Sequence, residues 1–159
     1  MKYRFLIIIA TLIFAFQSSH AQYNNALGVR LGTYNGLTFK HGFGSQKYFE
    51  GLLTSRWHGW QLTALFEYEG AISGASGLFW YVGIGAHVGQ FDNYYYYNKN
   101  VKYNQGDSQT YLGLDAILGI EYKFQSAPFV IALDWKPQTN FGGYGFWGDG
   151  GALSVRYVF

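Results

Sequence analysis

Gly151-Ala152-Leu153-Ser154-Val155-Arg156-Tyr157-Val158-Phe159 is the stretch whose reading decides the fold. Leu153, Val155, Tyr157 and Phe159 fall on one face of a strand, and Ala152, Ser154, Arg156 and Val158 on the other. That period of two is the signature of an extended chain with two unlike surroundings. The same alternation recurs upstream. Leu112, Leu114, Ala116, Leu118, Ile120, Tyr122 and Phe124 alternate with Gly113, Asp115, Ile117, Gly119, Glu121 and Lys123; Phe129, Ile131, Leu133 and Trp135 alternate with Val130, Ala132, Asp134 and Lys136. Trp60, Leu62, Ala64, Phe66 and Tyr68 stand against Gln61, Thr63, Leu65 and Glu67, while Trp80 to Val88 stand against a row carrying Gly83, Gly85, His87 and Gly89.

Turn residues cut the chain into eight such runs: 26–32, 37–43, 48–55, 60–69, 79–91, 110–124, 129–136 and 151–159. Asn35-Gly36 is expected to form the first hairpin turn, since both residues tolerate positive φ. The connections 92–109 and 137–150 are the longest, and both leave from the same end of an eight-stranded meander. Gly70 to Gly77 is read as a loop at the opposite end.

Within the runs, Arg30, Lys40, Glu50, Glu67, Asp115, Glu121, Lys123, Asp134, Lys136 and Arg156 all fall on the small, Gly-rich face; the bulky face carries no titratable group except His41. An eight-stranded barrel has an interior just wide enough for its own side chains. The aromatic and aliphatic set would overfill it, so the bulky face belongs outside and the balanced charges belong in the lumen. Outside means lipid, where Arg or Lys at the midplane costs about 2–4 kcal/mol. Tyr68, Trp80, Tyr122, Phe124, Phe129, Tyr157 and Phe159 then mark one interfacial rim, and Trp60 and Trp135 lie toward the other.

Composition fits that placement. Charged residues are 13% of the chain, well below the roughly 25% of an average soluble protein, while aromatics are 21% and glycines number 22. Lys2 and Arg4 precede an apolar run from Phe5 to Phe16, then Gln17-Ser18-Ser19-His20-Ala21, the order of a secretory leader. The run is too short for a spanning helix, which needs about 20 residues. Residues 1–21 are expected to be a cleaved signal peptide and 22–159 a single domain. Cleavage leaves nine basic against nine acidic residues, so the basic pI argues for no nucleic-acid partner. With no cysteine, disulfides and thiolate metal sites are excluded.

The terminal strand ending in Phe159, with the leader and the parity, resembles the small eight-stranded bacterial outer-membrane β-barrel class, which includes OmpX and the OmpA transmembrane domain. The resemblance implies an eight-stranded antiparallel transmembrane barrel in the outer membrane of a Gram-negative cell. It also implies reading of Phe159 by the barrel-insertion machinery and contact with outer-membrane lipid and lipopolysaccharide. A non-enzymatic role follows, as a structural or surface-binding barrel or the accessory subunit of an envelope complex with a protein partner. A narrow ion-conducting pore and a lipid A-modifying enzyme are the alternatives.

For chemistry, His41, His58 and His87 are scattered, no Ser-His-acid set assembles, and neither a metal nor a cofactor is expected. The luminal charges are expected to be structural ion pairs, with Asp115, Glu121 and Lys123 facing Asp134 and Lys136 on the next strand and Arg156 joining them. Tyr94, Tyr95, Tyr96, Tyr97 and Tyr103, with Tyr144, Phe146 and Trp147, form the candidate external binding surface, because Tyr and Trp give rigid amphipathic contact area.

Overall fold

In a computed structural model the chain is all-β, and residues 24–56, 59–92, 108–142 and 145–159 are described. The expected leader, His58, the tyrosines at 94–97 and 103, and Tyr144 lie outside the described residues. The strands are β1 (Asn25–Gly32), β2 (Asn35–Gly42), β3 (Lys47–Arg56), β4 (Gly59–Ala71), β5 (Leu78–Asp92), β6 (Ser108–Lys123), β7 (Phe129–Trp135), β8 (Gln138–Asn140), β9 (Gly145–Trp147) and β10 (Gly151–Val158). They form one antiparallel sheet in the order β5-β4-β3-β2-β1-β10-β7-β6, and pairing of β5 with β6 closes it into a barrel.

Ten segments make eight staves. β8 continues β7 along β6 without a change of register, Leu118↔Trp135 being followed by Asp115↔Gln138, while Pro137, which has no N–H to give, separates the two. On the facing stave, Gln138 pairs with Trp147 and Trp135 with Gly151, so the three residues between β9 and β10 oppose the two between β7 and β8, one more on the β9–β10 side. That count is a β-bulge, and it reverses the parity of β9 relative to β10.

Side-chain direction follows the alternation throughout. Leu27, Val29, Leu37, Phe39, Leu53, Leu62, Phe66, Ile84, Leu118, Leu133 and Val155 are exposed on the outer wall, where Ile84 reaches 72%. Inside, the largest fully buried side chains include Arg30, Arg156, Tyr81, Lys40, Lys136, Leu52 and Leu65. The main apolar cluster of the interior is small, made by Leu52, Leu65, Tyr81, Ile117 and Ala132. Glycine makes room for this filling: a Cβ on Gly119 would stand 2.5 Å from the Tyr81 ring, and one on Gly89 2.4 Å from Tyr111.

Three sequence expectations need correction. Asn35 and Gly36 are the first residues of β2, and the turn lies at Thr33-Tyr34. Burial of the Tyr34 ring and the bond from Gly32 N–H to Asn35 Oδ1 at 2.9 Å hold the chain in that register. The stretch 137–150 is not wholly loop, since β8 and β9 extend two staves through it. The connection beginning at Gly70 is shorter than expected because β4 runs on to Ala71, and Gly74 and Gly77 take positive φ in the turn that follows.

Aromatic contacts gather along one rim. Tyr68 meets Trp80 at 5.9 Å, Tyr122 meets Phe124 at 4.9 Å, and Tyr157 lies between Phe129 at 5.7 Å and Phe159 at 6.3 Å. Asn25 N–H donates to the carbonyl of Phe159 at 3.2 Å, and Phe159 N–H returns a bond to Asn25 at 2.9 Å, which ties the first strand to the chain's last residue.

Candidate functional site

The lumen holds the chemistry, in three ionic clusters stacked along the barrel axis. Next to the rim that carries Tyr122 and Phe129, Lys123 Nζ bonds Glu69 and lies 3.3 Å from Glu121 Oε1. Lys40 Nζ then reaches across from β2, donating to Glu121 Oε2 at 3.0 Å and Glu69 Oε2 at 3.4 Å. It stands 3.0 Å from Glu67 Oε2, but off the line a hydrogen bond needs, so neither Glu67 oxygen is hydrogen-bonded. Lys40 also sits 4.5 Å from the Tyr81 ring centroid and 4.7 Å from that of Tyr48, a placement that favours a cation over the ring face.

Midway, Arg156 on β10 donates from Nη2 to Glu50 Oε1 at 2.5 Å and from Nε to Thr38 Oγ1 at 3.1 Å, with Nη1 3.6 Å from Glu121 Oε2. Arg30 on β1 crosses the interior to β7, its Nη1 and Nη2 donating to Asp134 Oδ2 and Oδ1 at 2.7 and 2.5 Å. Tyr81 adds its hydroxyl to the same carboxylate at 3.1 Å. This two-point fork fixes orientation as well as charge.

Toward the opposite mouth, Lys136 bonds Asp115 and donates to Gln138 Oε1 at 2.9 Å, and His87 Nδ1 lies 2.7 Å from Asp115 Oδ2. His87 Nε2 lies 3.0 Å from Asn140 Oδ1, and Tyr111 donates to Gln61 Oε1 at 3.0 Å. His87 and Asp115 therefore have the base and the acid of a hydrolytic relay, yet the ring nitrogen that would take a nucleophile's proton faces an amide oxygen.

Above this layer the mouth is covered. The inward-turned Trp147 lies 5.8 Å from Tyr111, a contact that the bulge makes available by flipping β9. Arg56 clamps Asp149, with Nη1 to Oδ1 at 3.2 Å and Nη2 to Oδ2 at 2.5 Å, and also donates to the Tyr34 hydroxyl at 2.9 Å. Thr33 bonds the Asp149 carbonyl, so the first hairpin and the last connection close over the lumen together. Burial pushes the Tyr34 phenol up to about 12, with Arg56 opposing it, while Arg56 beside Asp149 holds that carboxyl below its usual range.

The sign of the Asp149 effect gives a prediction. A carboxylate with a depressed folded-state pKa contributes stability above its unfolded value, about 3.9, and loses it as pH falls through the folded value. The carboxyl carbon of Asp149, followed by NMR in a pH titration, is expected to titrate below about 3.9 in the native chain and to move up toward that value in Arg56→Gln. A midpoint that does not respond to Arg56→Gln contradicts the clamp.

The expected charge set is thus luminal, with Arg30, Lys40, Glu50, Glu67, Asp115, Glu121, Asp134, Lys136 and Arg156 all buried and Lys123 half-buried. The partners differ from those expected on adjacent strands: Lys136 does pair with Asp115, but Asp134 takes Arg30, Glu121 takes Lys40, and Arg156 takes Glu50. Curvature is the reason, since long side chains pointing inward meet across the axis. Glu69, at the end of its run, is a member that the sequence reading left out, as are Arg56 and Asp149 at the mouth. Of the expected external surface, Phe146 is 69% exposed, whereas Trp147 points inward over Tyr111. Among the described residues no group of three or more His, Asp or Glu is arranged to hold a metal ion.

Fold and interior together define a closed eight-stranded antiparallel barrel whose polarity is inverted, apolar without and ionic within. No family model, curated protein or solved structure matches the chain.

Proposed function

We propose that the protein is an integral outer-membrane barrel of the small eight-stranded class, non-enzymatic, whose role is structural or surface-binding rather than transport. The observation that carries the reading is the inverted polarity. Bulky apolar side chains cover the outer wall, and among the described residues eleven charged side chains are turned into the lumen. A wall of that kind is at home in hydrocarbon, where backbone groups must be satisfied internally and a closed barrel satisfies them.

Cross-barrel pairs favour a plug over a pathway. Arg30–Asp134, Arg156–Glu50 and Lys40–Glu121 link strands that are not neighbours in the sheet, at separations of 2.5 to 3.0 Å. A non-enzymatic role is supported by His87, whose two ring nitrogens face Asp115 and Asn140. Contact with lipid, lipopolysaccharide and a protein partner in the envelope belongs to the same proposal, as does use of Phe159 by the insertion machinery.

Purified protein in planar lipid bilayers is expected to give no discrete conductance steps. Steps that disappear in Lys136→Met would replace this reading with a narrow pore.

A further inference from the structure

We propose that the outer wall binds one fatty-acyl chain of a membrane lipid in a groove centred on Gly51. The proposal rests on the membrane reading above and adds a specific site to it. Gly51 lies on the outward face of β3, between Phe39 and Ala64 on the neighbouring strands. The groove over it, about 230 Å³ in volume, is walled on the outside by Leu27, Leu37, Phe39, Leu53 and Leu62.

Gly51 has no internal reason to be glycine. Its φ is not in the left-handed region, and a Cβ placed on it would have its nearest heavy neighbour 4.0 Å away, at Phe49. The inward glycines are different: a Cβ on Gly83, Gly85 or Gly113 would come within 2.1 to 2.7 Å of existing atoms. Glycine inside a strand weakens it, and marks places where a ligand or another backbone comes close. At Gly51 the space left free opens only to the outside.

Three features choose the occupant. The groove's outer lining is wholly hydrocarbon, so nothing there would hold a headgroup or a polar ligand. It is continuous with the wall assigned to lipid, near the middle of β2 and β3 where Gly51 pairs with Phe39, so a chain can enter from the bilayer without crossing a polar rim. A second barrel fits poorly, because two convex walls meet along a line, whereas a stable protein interface buries roughly 1,200–2,000 Å². A flexible chain can follow the trough instead.

The test uses the full barrel in nanodiscs of dimyristoyl phosphatidylcholine, with protonated Leu methyls in a deuterated protein. Cross-relaxation from Leu37, Leu53 and Leu62 to acyl methylenes is expected to exceed that from Leu118 and Leu133 on the opposite wall several-fold. Gly51→Leu, which fills the trough, should reduce the excess to the level of the opposite wall, and Gly51→Ala should reduce it in part. Equal intensities on both walls in the native chain overturn the site while leaving the membrane reading intact. Contacts between differently labelled copies at Leu53 overturn it in favour of a dimer, and no lipid contact on either wall overturns both readings.

Discussion

Ile84→Arg is expected to destabilise the barrel by about 2–4 kcal/mol when folding is measured in lipid vesicles, the cost of a cation near the bilayer midplane. Ile84 is the most exposed of the large apolar side chains on the wall and stands between Phe66 on β4 and Ala116 on β6. Along β5 it lies near the middle of the span bounded by Trp80 at one rim and Gln90, the partner of Trp60, at the other. Exposure is what gives the substitution its force. In a barrel surrounded by water, an exposed Ile changed to Arg would alter stability by no more than about 0.5 kcal/mol. Urea titration of refolding into vesicles separates the two outcomes, and Ile84→Ala serves as the control for lost apolar contact.

The second large effect belongs to the lumen. Arg156→Met removes the partner of Glu50 and the donor to Thr38, and takes one of the cations from beside Glu121. An ion pair broken by removing one member leaves a buried charge uncompensated, which costs about 3–5 kcal/mol. Glu50 bears most of that loss, because Glu121 keeps Lys40 at 3.0 Å and Lys123 at 3.3 Å. The double variant Arg156→Met with Glu50→Gln is therefore expected to be more stable than Arg156→Met alone, with a coupling of about 0.5–3 kcal/mol in a double-mutant cycle. Additive losses would mean that the two side chains do not share a site.

How much of this was legible in the sequence follows from what a period of two can encode. The face of each residue is set by parity alone, and a one-residue slip would send Asp134 or Arg156 to the wall. That is why parity alone assigns nearly every charged side chain to the lumen. Partnership across the lumen is not encoded in that way. Arg30 and Asp134 are 104 residues apart, on the two strands that flank β10, and they meet because the curved sheet points both side chains inward. Stave ends were read less well, because local packing decides them. Tyr34 displaced the expected Asn35-Gly36 turn by burying its ring beneath Arg56, and Glu69 fell at the limit of its run. The bulge before β10 was hidden among Gly148, Asp149 and Gly150, where composition suggests only a loop; it turns Trp147 from the external surface to the inner mouth.

The outer wall is expected to face hydrocarbon, and single-tryptophan variants in vesicles made with brominated phospholipid measure this directly. Trp60, Trp80 and Trp135 are on the outer face, and Trp147 lies over the lumen. Strong quenching of the first three, with Trp147 spared, is the predicted result. Emission from Trp60, Trp80 and Trp135 that brominated lipid leaves unchanged would contradict the membrane assignment.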